Sequence, residues 1–318
     1  MWKYIVRRII HMIPVLFILS IIGFLLMSVV LGDPVILILA GAEEGIVDPE
    51  EIDRLREKMG FNRPLPVQYL DWMSHVLVGD LGRSFRLPFN VIEIINQRIP
   101  VSLELGLWSV ILGSGVGIPL GVMAAVRRES PMDYGISAFA VLLHAIPTFM
   151  LGVVLIFVFA VTLGWLPPSG YTSWGEDPWR HFRLMILPSF SAAGFLVGLL
   201  VRYTRATMLD VLGERYVTVA RAKGLTERIV LTRHALRNAM IPVVTVMGLE
   251  IVSMFSGWVV TETIYGLPGI GRLMLDAIFG RDMPVVQGVL IYITIVVIIV
   301  NLLIDLSYAY LDPKIRYE

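Results

Sequence analysis

Between Arg202 and Asn238 the sequence RYTRATMLDVLGERYVTVARAKGLTERIVLTRHALRN carries eight lysines and arginines against three acids, Asp210, Glu214 and Glu227, in a chain of zero formal charge. Positive charge concentrated beside long apolar runs marks the cytoplasmic face of a membrane protein. The island also has internal order. Ala220-Arg221-Ala222-Lys223 favours helix, Gly224 accepts the left-handed conformation that ends one, and Thr226 can cap a second helix with Glu227 in its first turn. That second helix is expected to run from Glu227 through Arg237 into Met240-Ile241-Pro242, joining a surface helix rigidly to a membrane span. Such an elbow transmits force rather than making or breaking bonds. The simplest role of a basic loop is that of a topology signal alone.

Carboxylates in apolar surroundings form the second group of candidates. Glu250 sits deep in one hydrophobic run, whereas Glu104 and Asp305 lie nearer the ends of two others. A charge in hydrocarbon is costly, so Glu250 is expected to face a cavity, a partner subunit or a hydrogen-bond partner rather than lipid. A place along a translocation path and a role in holding helices together both remain open for it. His144 reads first as a satisfied buried histidine and second as a path residue. Bond chemistry is missing: the chain has no cysteine and no G-x-x-x-x-G-K-[ST], H-E-x-x-H or G-x-S-x-G. Its histidines, His11, His75, His144, His181 and His234, are scattered, so neither a metal site nor a resident cofactor is expected. The glycines of Gly266-Leu267-Pro268-Gly269-Ile270-Gly271 follow no strand and match no dinucleotide fingerprint. The island lacks interleaved stacking aromatics, which argues against a nucleic-acid partner.

The elements that position these residues are helices in a bilayer. The 318 residues are 56% hydrophobic and 16% charged, with a mean hydropathy of +0.76, far greasier than a soluble domain. Six segments, 9–31, 101–126, 136–163, 184–201, 239–257 and 285–308, are long enough to cross a hydrocarbon core about 30 Å thick. The first follows Lys3, Arg7 and Arg8 and has no small-residue cleavage site, so it reads as a retained anchor entering from the cytoplasm. Six crossings bring both termini back to that side. Fifteen of the 26 basic residues fall in the short inner segments, Arg127, Arg128, Lys314 and Arg316 among them, and eleven in the longer outer ones. The expected organisation is N-terminal cytoplasmic residues and the first span over 1–31, an extracytoplasmic loop subdomain over 32–100, and a core of five spans over 101–318 that contains the elbow at about 214–238.

Local signals refine this picture. Asp48-Pro49-Glu50-Glu51 starts a helix that Gly60 closes, and a second runs from Pro66 to Val78 until Gly79 stops it. Gly113, Gly117, Gly121 and Ala125 recur every four residues in the second span and form a stripe for close helix packing. Pro147 and Pro188 are expected to kink the third and fourth spans. The stretch from Thr261 to Met283 is too rich in glycine and proline to cross, and reads as an outward re-entrant loop or short helices capping a pore.

The run YVTVARAKGL followed by RHALRNAMIPVV resembles the coupling motif, or EAA loop, of permease subunits in type I ABC importers, in the form of the dipeptide and oligopeptide branch. The resemblance covers nearly the whole chain. It includes RRIIHMIPVLF, Gly32-Asp33-Pro34, GDLGRS at Gly79 to Ser84, LGWLPPSGY at Leu163 to Tyr171 and ILPSF at Ile186 to Phe190. ETIYGLPGIGRL at Glu262 to Leu273, MPVVQG at Met283 to Gly288 and DPKIRY at Asp312 to Tyr317 complete it. Thr218 replaces the motif's leading Glu, Val219 fills its second position, and Leu236-Arg237 stands where more distant importers have Leu-Pro.

The resemblance implies an all-α, polytopic permease of six transmembrane helices with the type I ABC importer (MetI-like) fold. It would lie in the plasma (inner) membrane of a bacterium or archaeon and form half of a pathway for dipeptides or oligopeptides. The implied partners are a second homologous permease subunit, two ABC ATPase subunits that hold ATP and Mg, and an extracytoplasmic substrate-binding protein. Ala220, Arg221, Ala222, Lys223, Gly224, Leu225, Thr226 and Glu227 would form the ATPase-coupling interface. In it Gly224 supplies the turn, Ala220 and Leu225 the apolar contact, and Arg221, Lys223 and Glu227 the polar rim. Nickel complexes, glutathione or oligosaccharides are alternative cargoes on the same architecture. An ion-coupled secondary transporter would use Glu250, but should carry inverted repeats that the sequence lacks.

Overall fold

The computed structural model describes residues 14, 16–25 and 49–311. Among them every regular element is helical, and the one extended pairing is an isolated bridge between Arg83 and Asn90. Gly32-Asp33-Pro34, Asp48, the residues 312–317, the basic residues Lys3, Arg7, Arg8, Lys314 and Arg316, and the side chain of Asp305 lie outside the described set. The chain divides into two compact units, one running to Pro100 and taking in Arg272–Ile299, the other holding Val101–Gly271 and the residues from Val300.

In the first unit, α1 (Leu16–Leu25), α2 (Pro49–Met59) and α3 (Leu65–Leu77) follow the expected punctuation. Gly60 at φ 75° closes α2, and Gly79 at φ 83° follows the Val78 cap of α3. Only glycine takes such angles without strain. Rings join α1 to α3: Phe24 stands edge-on to Tyr69 at 5.6 Å, and Ser20 Oγ lies 2.8 Å from the Tyr69 hydroxyl. Buried Asp282 anchors the GDLGRS loop by accepting from Phe85 N at 3.1 Å and from the Ser84 hydroxyl.

The long helices are α4 (Val91–Val126), α7 (Pro178–Leu212), α10 (Arg237–Tyr265) and α12 (Met283–Leu311), with α5 (Pro131–Ala145), α6 (Thr148–Leu155) and α11 (Ile270–Phe279) between them. Among the described residues four helices are long and apolar enough to cross a membrane, or five if the bent pair α5–α6 is one span. α4 and α7 have 36 and 35 residues, so each is over 50 Å long at about 1.5 Å per residue. α4 begins ten residues before the apolar segment 101–126, and α7 extends past 184–201 at both ends, its start set by a local cap rather than by hydrophobicity. Asp177 accepts from Arg180 N at 2.9 Å with Pro178 in the first helical position of α7.

Pro147 does more than kink its span. Ile146 takes the extended conformation that a following proline imposes, the helix stops, and α6 leaves at 106° to α5. α6 then continues as a π-helix over Ile156–Thr162. Pro188, by contrast, sits inside an uninterrupted α7. The glycine-rich stretch after Thr261 is divided: α10 runs on to Tyr265, Gly266 at φ 67° ends it, and α11 is the short helix that was expected.

α7 is the axis of the second unit, with 83% of its apolar window buried against at most 33% for the other long helices. The small-residue stripe of α4 lies on it. Gly113 meets Leu196, Gly117 meets Leu200 and Gly121 meets Thr204, advancing four residues on both helices in the same direction. Parallel α4 and α7 require the chain between them to return to its starting end, which is the work of α5 and α6. Gly121→Val, whose Cβ would fall 2.6 Å from Thr204 Cβ and 2.8 Å from the Val201 carbonyl oxygen, is expected to cost about 1–3 kcal/mol. Gly115→Ala, with nothing within 4 Å, should be neutral or stabilising. Thermal melting of the two purified variants in detergent separates them.

Candidate functional site

The basic island folds as the expected elbow. α8 (Arg215–Ala222) ends in a complete left-handed cap: Gly224 lies at φ 78°, its N–H donates to the Arg221 carbonyl at 2.9 Å, and Leu225 N–H reaches the Ala220 carbonyl at 3.4 Å. These bonds occupy carbonyls that a helix end leaves open, and they fix the direction in which the chain departs. α9 (Glu227–Ile229) starts at once, passes into a π-helix over Val230–Leu236, and continues unbroken into α10. The expected α-helix from Glu227 to Arg237 is therefore helical throughout but wound wider over seven residues. Thr226 holds the cap position without a side-chain cap bond; its carbonyl accepts from Ile229 N at 2.9 Å and Val230 N at 3.1 Å.

Val217, Ala220 and Val230 are buried together inside the angle, beside Val211 and Leu212 of α7. Ala220, expected to give an outward apolar contact, is buried instead, packed in one cluster with Val217 and with Val230 across the turn. The outward apolar surface consists of Leu225, joined by Val219 and Ile229, which sequence reasoning did not single out. Ala222, Lys223, Gly224 and Thr226 are exposed around it. Arg221 grips Glu227 across the turn, Nε to Oε2 at 3.1 Å and Nη2 to Oε1 at 2.7 Å, and this hydrogen bonding raises the Arg221 pKa. The two rim charges thus brace the turn. At the joint with α10, Asn238 Nδ2 donates to the Tyr216 hydroxyl at 2.8 Å, and Ala235 and Ala239 are buried against Met208 and Ala125.

Next to the elbow, α7 holds an ion pair that sequence reasoning missed. Arg205 donates to Asp133 through Nε at 2.6 Å and Nη2 at 2.7 Å, and Asp133 also accepts from Glu129 N at 3.0 Å and the Ser137 hydroxyl at 3.3 Å. The available signal was Ser130-Pro131-Met132-Asp133, a capping turn in which Ser130 accepts from Asp133 N and leaves the acid in the first turn of α5. At the other end of α7, buried His181 places Nδ1 2.5 Å from the Thr172 carbonyl and Nε2 2.9 Å from Glu104 Oε1. Glu104 Oε1 also receives Trp174 Nε1 at 3.0 Å and Trp108 Nε1 at 3.4 Å, so this acid ties helices and loop together. Burial and the charges of Glu104 and Glu176 push the neighbouring Tyr171 pKa up.

Glu262, the first residue of ETIYGLPGIGRL, is fully buried. Ser102 Oγ donates to it at 2.5 Å and in turn accepts from Ile270 N at 2.8 Å. A Cβ on Gly269 would stand 2.1 Å from Glu262 Cδ, so this loop glycine lets the backbone lie directly on the acid. Glu250 is placed differently. It makes no hydrogen bond or ion pair among the described residues, and it lines a cavity of about 210 Å³ with Thr148, Ala192, Phe195, Ser253, Met254 and Trp258. His144 is not the satisfied histidine expected: its ring stacks on Phe195 at 4.4 Å, and its buried Nδ1 has no hydrogen-bond partner.

The family model described as "Binding-protein-dependent transport system inner membrane component" matches residues 117–317, and its N-terminal companion matches residues 1–106. The chain belongs to this family. It is 40% identical over 318 residues to a putative peptide transport system permease protein of Brucella abortus, covering both chains fully. It is 40% identical over 320 residues to the oligopeptide transport system permease protein AppB of Bacillus subtilis and 39% over 343 to the dipeptide transport system permease protein DppB of Escherichia coli, again with full coverage of each. The fold is shared with a solved inward-facing structure of the MetNI methionine ABC transporter, at TM-score 0.57 and 17% identity, over 70% of this chain and 97% of that one.

Loss of one partner of a buried ion pair is expected to cost about 3–5 kcal/mol when it strands the buried charge. Asp133 is 1% exposed and Arg205 is 31% exposed on their side chains, so Arg205→Ala should destabilise the protein more than Asp133→Asn. Thermal unfolding of both variants in the same detergent tests the order; equal losses would contradict it.

Proposed function

We propose that this chain is the membrane-spanning permease subunit of an ATP-driven importer and forms half of the path by which peptides enter the cell. Full-length similarity to peptide, oligopeptide and dipeptide permeases supports that cargo. An extracytoplasmic binding protein delivers the peptide, a second homologous permease completes the path, and two ABC ATPases supply the power with ATP and Mg bound to them. The chain itself has no ATPase site. It spans the inner membrane six times, the segment 9–31 joining the five crossings from α4 onward, with both termini and the elbow in the cytoplasm. Arg127, Arg128, Arg215, Arg221, Lys223 and Arg228, all at the elbow end of the core, support this orientation.

The observation that carries the mechanism is the elbow's stiffness together with its unbroken helical connection to α10. The turn is closed by two backbone bonds and a bidentate charge clamp, its inside is filled by Val217, Ala220 and Val230, and nothing flexible separates it from the span. Closure of the ATPases pushes Val219, Leu225 and Ile229, and α10 swings the path from inward-open to outward-open. This is a two-state element biased by a partner.

Gly224→Val places a β-branched residue at φ 78°, a strain of roughly 1–3 kcal/mol confined to the turn. The variant should insert and assemble normally yet lose substrate-stimulated ATP hydrolysis in the reconstituted complex. Undiminished stimulation would remove the lever role.

A further inference from the structure

The cavity beside Glu250 has a chemistry that helix packing does not need. Three other acids on these helices are held by donors: Glu104 by His181 and two tryptophans, Glu262 by Ser102, Asp133 by Arg205. Glu250 alone of the four makes no such contact among the described residues, and it opens on about 210 Å³ of space. An open carboxylate in apolar surroundings is expensive. Its natural complement is a cation that comes and goes.

The walls fit that complement. Phe195 and Trp258 present aromatic rings, which attract cations through the negative charge on their faces, and Met254 adds a polarizable sulfur. Both rings are held still. Phe195 is stacked on His144, while Trp258 is 5% exposed and packed so tightly on α4 that a Cβ at Gly106 would fall 2.5 Å from its ring. A carboxylate sharing a cavity with two packed rings can recognise a protonated amine by both charge and cation–π attraction. The space is below the roughly 300–1,000 Å³ of pockets that enclose a drug-sized ligand, so it admits one end of a chain rather than a whole peptide.

We propose that the Glu250 cavity is a cation-recognition site on the translocation path that receives the protonated α-amino group of a passing peptide. This rests on the peptide-import reading above. The site accounts for the open carboxylate, the aromatic walls and the small volume together.

Equilibrium binding of radiolabelled trialanine and N-acetyl-trialanine to the complete transporter in nanodiscs, without binding protein, tests the site. Wild type should bind trialanine about tenfold more tightly than the acetylated peptide, a preference of the size expected for one cation contact. Glu250→Gln should abolish the preference by weakening trialanine alone. Phe195→Leu, which keeps the carboxylate and removes one ring, should reduce it and covers the case in which Glu250→Gln does not assemble. No preference in wild type, one that survives in Glu250→Gln, or one undiminished in Phe195→Leu, overturns the site. ATP-driven uptake of trialanine from its loaded binding protein is measured in parallel: intact uptake with no amine preference discards the site and keeps the peptide importer, whereas absent uptake counts against the importer itself.

Discussion

Helices surrounded by lipid gain little from the hydrophobic effect when they meet, so they associate through close backbone approach and a few buried polar contacts. The seam between α4 and α7 meets that constraint with glycine. At Gly113, Gly117 and Gly121 there is no room for even a methyl group, and Ala125 extends the line to Met208. With α7 fixed in this way, it positions everything else in its unit. His181 sits near its start, Ala192 and Phe195 wall the cavity in its middle, Arg205 holds α5 further on, and Leu212 delivers the chain to the elbow. A shift of α7 would disturb all four places together.

The bent pair α5–α6 is held to the same helix by the same device. A Cβ on Gly198 would fall 2.5 Å from the Ala140 carbonyl oxygen of α5, and one on Gly194 would fall 2.3 Å from a Leu151 methyl of α6. Both arms of the bend are thus seated on α7, so the bend at Ile146-Pro147 is a fixed corner rather than a hinge. Irregular backbone at membrane depth is tolerated where protein encloses it or a cavity adjoins it. Thr148, the first residue of α6, lies on the cavity wall, which places the corner where that condition is met.

Features governed by local backbone physics were legible in the sequence. The turns at Gly60, Gly79 and Gly224 and the stripe from Gly113 to Ala125 follow from residue type and spacing alone, while at Pro147 the sequence pointed to a kink where the helix in fact breaks, and after Gly266 it left a re-entrant loop and short helices both open. What escaped notice depends on residues far apart in the chain. Nothing near Asp133 announces Arg205, and nothing near Glu262 announces Ser102, because each pair meets only after the helices have packed. Ala220 failed for a related reason: its place on a helix was readable, but which face turns inward depends on Val230 across the turn. The helices outrun the crossing segments because hydropathy reports only the part that crosses hydrocarbon. The π-helical stretches at Ile156–Thr162 and Val230–Leu236 left no mark in composition.

The elbow and Glu250 lie on one continuous helical run, whereas Phe195 belongs to α7 and Thr148 to α6. If α10 is driven by the elbow while α7 stays fixed by its glycine seam, the carboxylate and Trp258, which share α10, must move relative to Phe195 on α7. A cation held between Glu250 and Phe195 would lose one of its attractions during the stroke. Carboxylate–amine attraction falls off with distance, and cation–π contact is lost beyond about 6 Å from the ring centroid, so a displacement of a few ångströms suffices to release it. On the proposed reading, rigid coupling from the turn at Gly224 to the cavity at Glu250 would convert a mechanical stroke into a change of affinity, without a separate gate at the site.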